Sequence, residues 1–158
     1  MSGIVQYVIV RGDLTKTMQW PVGAVIAQAC HACTAVTHLF YNDEHTQAYL
    51  SDLDNMHKVI LEAPDDKSLH ELHSKLEESK VDHKLWIEQP ENIPTCVVVK
   101  PYPKECWRLW VNVLKSVCAD VEDRYVAECG STRLREAATQ VGKNEWANLG
   151  TSTAAELP

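Results

Sequence analysis

The sequence predicts an α/β fold built on a mixed sheet, and three observations lead there. Ile4 to Val10 is a short, β-rich apolar run ended by the charged turn Arg11-Gly12-Asp13, which reads as a buried strand. Residues 57–88 run strand, acidic cap, amphipathic helix, strand, the order of a βαβ unit. Only Gln89 to Pro94 separates the third predicted strand from the fourth. That connection is too short for a parallel crossover, so the pair is antiparallel.

After the first strand, residues 12–22 read as a loop. Pro21 suits a helix start, and a helix is predicted from about Gly23 to Tyr41. Its alanines at 24, 27, 29, 32 and 35 lose little side-chain entropy and let a helix lie close to a sheet. Asn42-Asp43 ends it, and a shorter helix follows near Glu44 to Leu53. His57 to Ala63 is the second strand. Pro64-Asp65-Asp66 then opens a helix with carboxylates at its positive end, and Leu69, Leu72 and Leu76 give it an apolar stripe. The third strand spans Asp82 to Glu88, with Leu85 and Ile87 alternating against Lys84 and Trp86. Thr95 to Lys100 is the fourth. A last helix starts near Lys104, with Trp107, Trp110, Val113 and Leu114 on one apolar face. From about residue 130 the chain turns small and polar, the composition of a weakly ordered tail. The predicted division is a domain over 1–115, then a C-terminal helix and tail over 116–158.

A chain of 158 residues makes one domain with a real core. Its 45% hydrophobic and 23% charged content is ordinary for a globular protein. The net charge of −7 argues against a general nucleic-acid coat, though the few phosphate contacts needed to read an RNA end remain open. The longest uninterrupted apolar runs are too short to span a bilayer, and no basic-then-apolar leader opens the chain. The expectation is a cytoplasmic protein with no membrane partner. Its six cysteines are then free thiols.

Chemistry concentrates in two places. Gln28 and His31 share one face of the first long helix, just after a strand, where α/β proteins commonly bind ligands. Glu88 closes a strand beside a Pro-rich loop and has the chemistry of a general base. Asn92 and Thr95 offer neutral donors. Plainer roles stay open for each: a helix histidine bonded to a backbone carbonyl, a glutamine tying its helix to the Asp13 loop, an exposed loop acid, an asparagine shaping a turn. Cys30 and Cys33 lie three apart without a second Cys/His pair of matching spacing, so no metal and no cofactor is expected.

The strand Gln6 to Val10, the turn Arg11-Gly12-Asp13-Leu14, Gly23, the run Ala27-Gln28-Ala29-Cys30-His31-Ala32 and the junction Leu61-Glu62-Ala63-Pro64-Asp65 occur in an order that resembles peptidyl-tRNA hydrolase family 2, the type found in archaea and eukaryotes. The loop from Trp86 to Cys96 resembles the divergent branch of peptidyl-tRNA hydrolase domain-containing proteins. The resemblance covers about residues 4–115. It implies a three-layer α/β/α fold with a mixed four-stranded sheet, and hydrolysis of the ester between a peptide and the terminal ribose of tRNA. A homodimer is consistent with it. Glu88 stands where the family has a loop Asp and is the implied base, with His31, Gln28 and Thr95 beside it. Asp13, Lys16 and Asn92 are the residues expected at the substrate. Ala24 stands where the family has a favoured catalytic Lys, and Glu91 where it has an Arg. The alternative is therefore a catalytically weak or inactive RNA- or protein-binding module on the same fold.

Overall fold

The computed structural model describes residues 3–117, and within its last helix the side chains of 107–111 are outside that description. β1 (Ile4–Arg11) is central, and Val5, Val8 and Ile9 are almost wholly buried. It pairs in parallel with β2 (His57–Ala63) and antiparallel with β4 (Ile93–Val99). β3 (His83–Glu88) pairs antiparallel with β4. The order β2-β1-β4-β3 is the expected mixed sheet. A fifth short strand, β5 (Tyr102–Pro103), adds to the start of β1, which the sequence reading left out.

Strand alternation separates two cores. One face carries Val5, Tyr7, Ile9, Leu61, Val97 and Val99 against α4 (Asp66–Glu78) and α5 (Trp107–Val117). Leu69, Leu72 and Leu76 are fully buried there, as the apolar stripe predicts. The other face carries Val8, Cys96 and Val98 against α2 (Val22–Leu39), through Ala32 and Val36. Helices thus cover both faces, the expected three layers.

Local chemistry sets the helix starts. Asp43 caps α3 (Glu44–Leu50) by accepting from the N–H groups of His45 and Thr46, at 3.0 and 3.1 Å. Asp65 caps α4 by accepting from Ser68 N–H at 2.8 Å. Both satisfy donors that a helix leaves unpaired in its first turn. Residues 12–22 are not all loop: α1 (Asp13–Lys16) is one short helical turn, seated by buried Leu14. α2 contains no Asp, Glu, Lys or Arg. It is long and apolar enough, by length and composition alone, to cross a membrane, a property the search for uninterrupted apolar runs did not register. In this fold its buried stripe lies on the sheet.

α5 continues past residue 115 to Val117, with Leu114 and Val117 buried. Lys75 of α4 donates to Ser116 Oγ at 2.8 Å. The expected tail beyond residue 130 lies outside the described residues.

His73 on α4 and His83 on β3 meet, with Nδ1 of the first 2.7 Å from Nε2 of the second. The two residues are ten apart in sequence and only the packing of α4 on the sheet brings them together. His83 Nδ1 lies 2.6 Å from the Val81 carbonyl and donates to it. Its Nε2 therefore accepts, and His73 Nδ1–H donates. Burial is the main cause that holds the His83 pKa below its ordinary value, with the neighbouring His73 adding to it. A depressed histidine pKa means the unfolded chain takes up the proton first, so stability falls as pH drops below about 6.5. His83→Gln, which has no ring to protonate, should flatten that acid loss. Urea midpoints measured between pH 5 and 7 check this, and parallel curves for the two proteins would refute it.

Candidate active site

β1 and β3 run the same way and β4 runs against them, so Arg11, Glu88 and the start of β4 share one end of the sheet. This is the carboxyl end of the parallel strands, where open α/β sheets place ligands. Pro94 sits within β4 and has no N–H for the ladder. Trp86 pairs with Cys96 while Ile87 pairs with Pro94, which leaves Thr95 as the extra residue of a β-bulge. A bulge re-aims side chains. Here two consecutive residues reach one partner: Thr95 Oγ1 donates to Gln28 Oε1 at 3.2 Å, and Cys96 Sγ lies 3.5 Å from the Gln28 carbonyl oxygen.

Gln28 lies on the buried stripe of α2 with Ala32 and Val36, and is only 3% exposed. A buried amide needs partners. It finds a second in Trp86, whose indole N–H donates to Gln28 Oε1 at 2.9 Å. The same N–H lies 3.3 Å from Glu88 Oε2, since residues two apart on a strand share a side. His31, one turn along α2, stacks on the Trp86 ring with centroids 5.3 Å apart and planes 24° apart. Gln28, His31, Glu88 and Thr95 therefore gather around one indole. Gln28 and Thr95 are buried, Glu88 is half-buried and His31 is exposed.

The remaining predicted residues lie elsewhere at this end. Asp13 grips Arg11 in a two-pronged pair, at 2.7 Å to Nε and 3.0 Å to Nη2. Arg11 also donates to Asp66 Oδ1 at 3.0 Å and to the Pro94 carbonyl at 2.9 Å. It thus ties together β1, α1, α4 and β4. The hydrogen bond to Asp13 is the main cause that raises its pKa, so its charge is permanent. Lys16 is paired with Glu62 of β2 at 2.5 Å. Both line an open cavity of about 630 Å³, with Val10, Val25 and Ile60 also in its lining. A Cβ on Gly12 would lie 2.4 Å from Glu62 Cδ, so glycine leaves room for that ion pair. Asn92 occupies the turn between β3 and β4 at φ 56°, a left-handed position that asparagine tolerates, with its Oδ1 3.4 Å from Gln89 Nε2.

The sequence reading missed Trp86 and Arg11 as organisers. Trp86 had one legible sign, a large donor-bearing ring on the polar side of a strand with Lys84. Arg11 had none beyond its place in the turn.

Two of the thiols, Cys33 and Cys96, do not suit nucleophilic or redox work. Burial raises the Cys33 pKa and pushes that of Cys96 up to about 12, and it is the thiolate that reacts. Among the described residues no group of three or more His, Cys, Asp or Glu side chains is arranged to hold a metal ion.

Comparisons with known proteins identify the family. The family model described as peptidyl-tRNA hydrolase PTH2 matches residues 4–117. Two similar proteins, from Homo sapiens and Mus musculus, are each named "Putative peptidyl-tRNA hydrolase PTRHD1". Each is 52% identical over 103 residues, covering 65% of this chain and 74% of the relative. The family match takes in every strand of the sheet, both helical layers and all the residues gathered at Trp86: the chain belongs to the peptidyl-tRNA hydrolase PTH2 family.

Proposed function

We propose that this protein cleaves the ester between a peptide and the 3′ ribose of tRNA, with water as the nucleophile. One observation supports this above the others: an acid, an amide and an imidazole from two elements meet around Trp86 at the ligand-binding end of the sheet. Glu88 takes a proton from water, and the hydroxide oxygen bonds to the ester carbonyl carbon. The carbonyl oxygen becomes an oxyanion, which positioned hydrogen-bond donors stabilise. Collapse of that intermediate breaks the bond to the ribose oxygen, and Glu88 returns its proton to the departing hydroxyl. His31, exposed beside Trp86, orients the attacking water. Thr95 acts through Gln28, because its hydroxyl is committed to the amide oxygen. Lys16, Asp13 and Asn92 face the tRNA end. In this reading the reaction takes place in the cytoplasm.

A second reading, a binding module without turnover, is favoured by the charges. Two of the cations described at this end are already paired, Arg11 with Asp13 and Asp66 and Lys16 with Glu62. Ala24 brings no charge to the first turn of α2. Purified protein incubated with N-acetylaminoacyl-tRNA separates the two. The hydrolase reading expects release of the acylated amino acid, unaffected by chelator, and about tenfold slower release by His31→Ala, a modest share of what a positioned proton-handling group supplies. Binding of the tRNA by wild type with no release, even at stoichiometric protein, would leave the binding module standing.

A further inference from the structure

We propose that Trp86 is a positioning residue that sets the polarity of the Gln28 side-chain amide, so that its N–H₂ end, and not its oxygen, meets the substrate ester. This rests on the hydrolase reading above. An indole nitrogen can only donate, and the Thr95 hydroxyl points its oxygen at the same atom. The atom between them must therefore be an acceptor, which makes it Oε1. With two donors on the oxygen, the amide cannot rotate by half a turn without facing an N–H₂ group against an indole N–H. Among the described residues Nε2 has no hydrogen-bond partner, and it is not one of the sealed-off unpaired atoms, which are Gln6 Nε2 and His57 Nε2. The result is a donor with a fixed direction, on a side chain that shares the Trp86 N–H with Glu88. It is the group suited to the carbonyl oxygen as that oxygen gains charge. Donation by Trp86 and Thr95 into Oε1 also polarises the amide and strengthens its N–H groups as donors. This supplies, from a neutral side chain, part of the positive potential that Ala24 lacks.

Trp86→Phe keeps an aromatic ring at this position but removes the N–H together with the five-membered ring that carries it. The expected result is a fall of about tenfold in kcat for N-acetylaminoacyl-tRNA, with KM within twofold. Gln28→Glu, which still accepts from Trp86 and Thr95 but has no N–H₂, should lose at least as much. A merely structural Trp86 would lower the melting temperature or raise KM without lowering kcat. Wild-type kcat in Trp86→Phe would overturn the proposal. An NMR arm does not depend on turnover. The Gln28 side-chain N–H₂ signals, assigned by their loss in Gln28→Glu, should shift when N-acetylphenylalanyl-adenosine with a 3′ amide link in place of the ester is added. The shift should vanish in Trp86→Phe. An inactive wild type would sink the hydrolase reading alone, and the NMR result would still decide this one. If Trp86→Phe fails to fold, the wild-type spectrum decides: unmoved Gln28 signals with bound analogue overturn the proposal.

Discussion

Glu88→Gln should lower kcat for peptidyl-tRNA hydrolysis by about 100-fold or more, because general base catalysis contributes roughly 10²–10⁴ in rate. At 100-fold the loss is about 2.7 kcal/mol of transition-state stabilisation. The substitution is nearly isosteric. The oxygen of the introduced amide can still accept from Trp86 Nε1, the one bond that Glu88 shares at 3.3 Å, but an amide cannot take a proton from water. Binding should therefore change little, with the loss in kcat and not in KM. Stability should also change little, since Glu88 is half-buried and holds no ion pair among the described residues. Single-turnover release measured on both proteins checks this. A rate within threefold of wild type would assign the base to another group.

Lys100→Met should destabilise the fold by about 3 kcal/mol, the cost of removing one partner from a buried ion pair. Lys100 closes the opposite end of the sheet. Its side chain is 7% exposed and lies 2.5 Å from Asp43 and 2.9 Å from Asp82. Its ammonium also sits 4.8 Å from the centre of the Tyr102 ring and 5.8 Å from that of Phe40, a cation–π arrangement. Methionine fills the same channel but leaves two carboxylates facing each other. Because Asp43 also caps α3, the damage spreads to that helix. Equilibrium urea unfolding measures the effect, and a loss below 1 kcal/mol would show the cluster to be decorative.

The same cluster has a pH signature. For Asp43, burial opposes the charge, but the hydrogen bonds from Lys100 and from the Thr46 and His45 N–H groups outweigh it and lower the pKa. A depressed carboxylate pKa gives stability that is present above about pH 4 and is lost as pH falls below it. For Lys100, burial again opposes the charge, and bonds to Asp43 and Asp82 outweigh it and raise the pKa. That contribution is complete below about pH 10.5 and is lost as pH rises further. Lys100→Met should blunt both limits and so give a flatter stability curve.

Much of this protein was legible in its residues. Leu69, Leu72 and Leu76 announced a helix with one buried side, and all three are fully buried. The six residues from Gln89 to Pro94 required an antiparallel pair, and β3 and β4 are one. Asp65 was readable as an acidic helix start because a cap acts on the next three residues. The start of β4 was less legible: it begins at Ile93, two residues before expectation, because a proline discourages a strand assignment even where its missing N–H falls at a bulge. That bulge is also why alternation could not place Thr95. The period of two fails at the one position where an extra residue turns the side chain toward Gln28.

Periodicity, capping and loop length act over a few neighbouring residues, so the chain alone decided its helices, most of its strands and the sense of its hairpin. The meeting of amide, indole and carboxylate was a different matter. Gln28 and Trp86 are 58 residues apart, and Gln28 and Thr95 are 67 apart. Their hydrogen bonds exist only because α2 lies across β3 and β4, and no local rule carries a donor to an acceptor over that distance. Tertiary packing therefore decided which atom of Gln28 is held and which has no partner among the described residues, and with it the direction of the proposed chemistry.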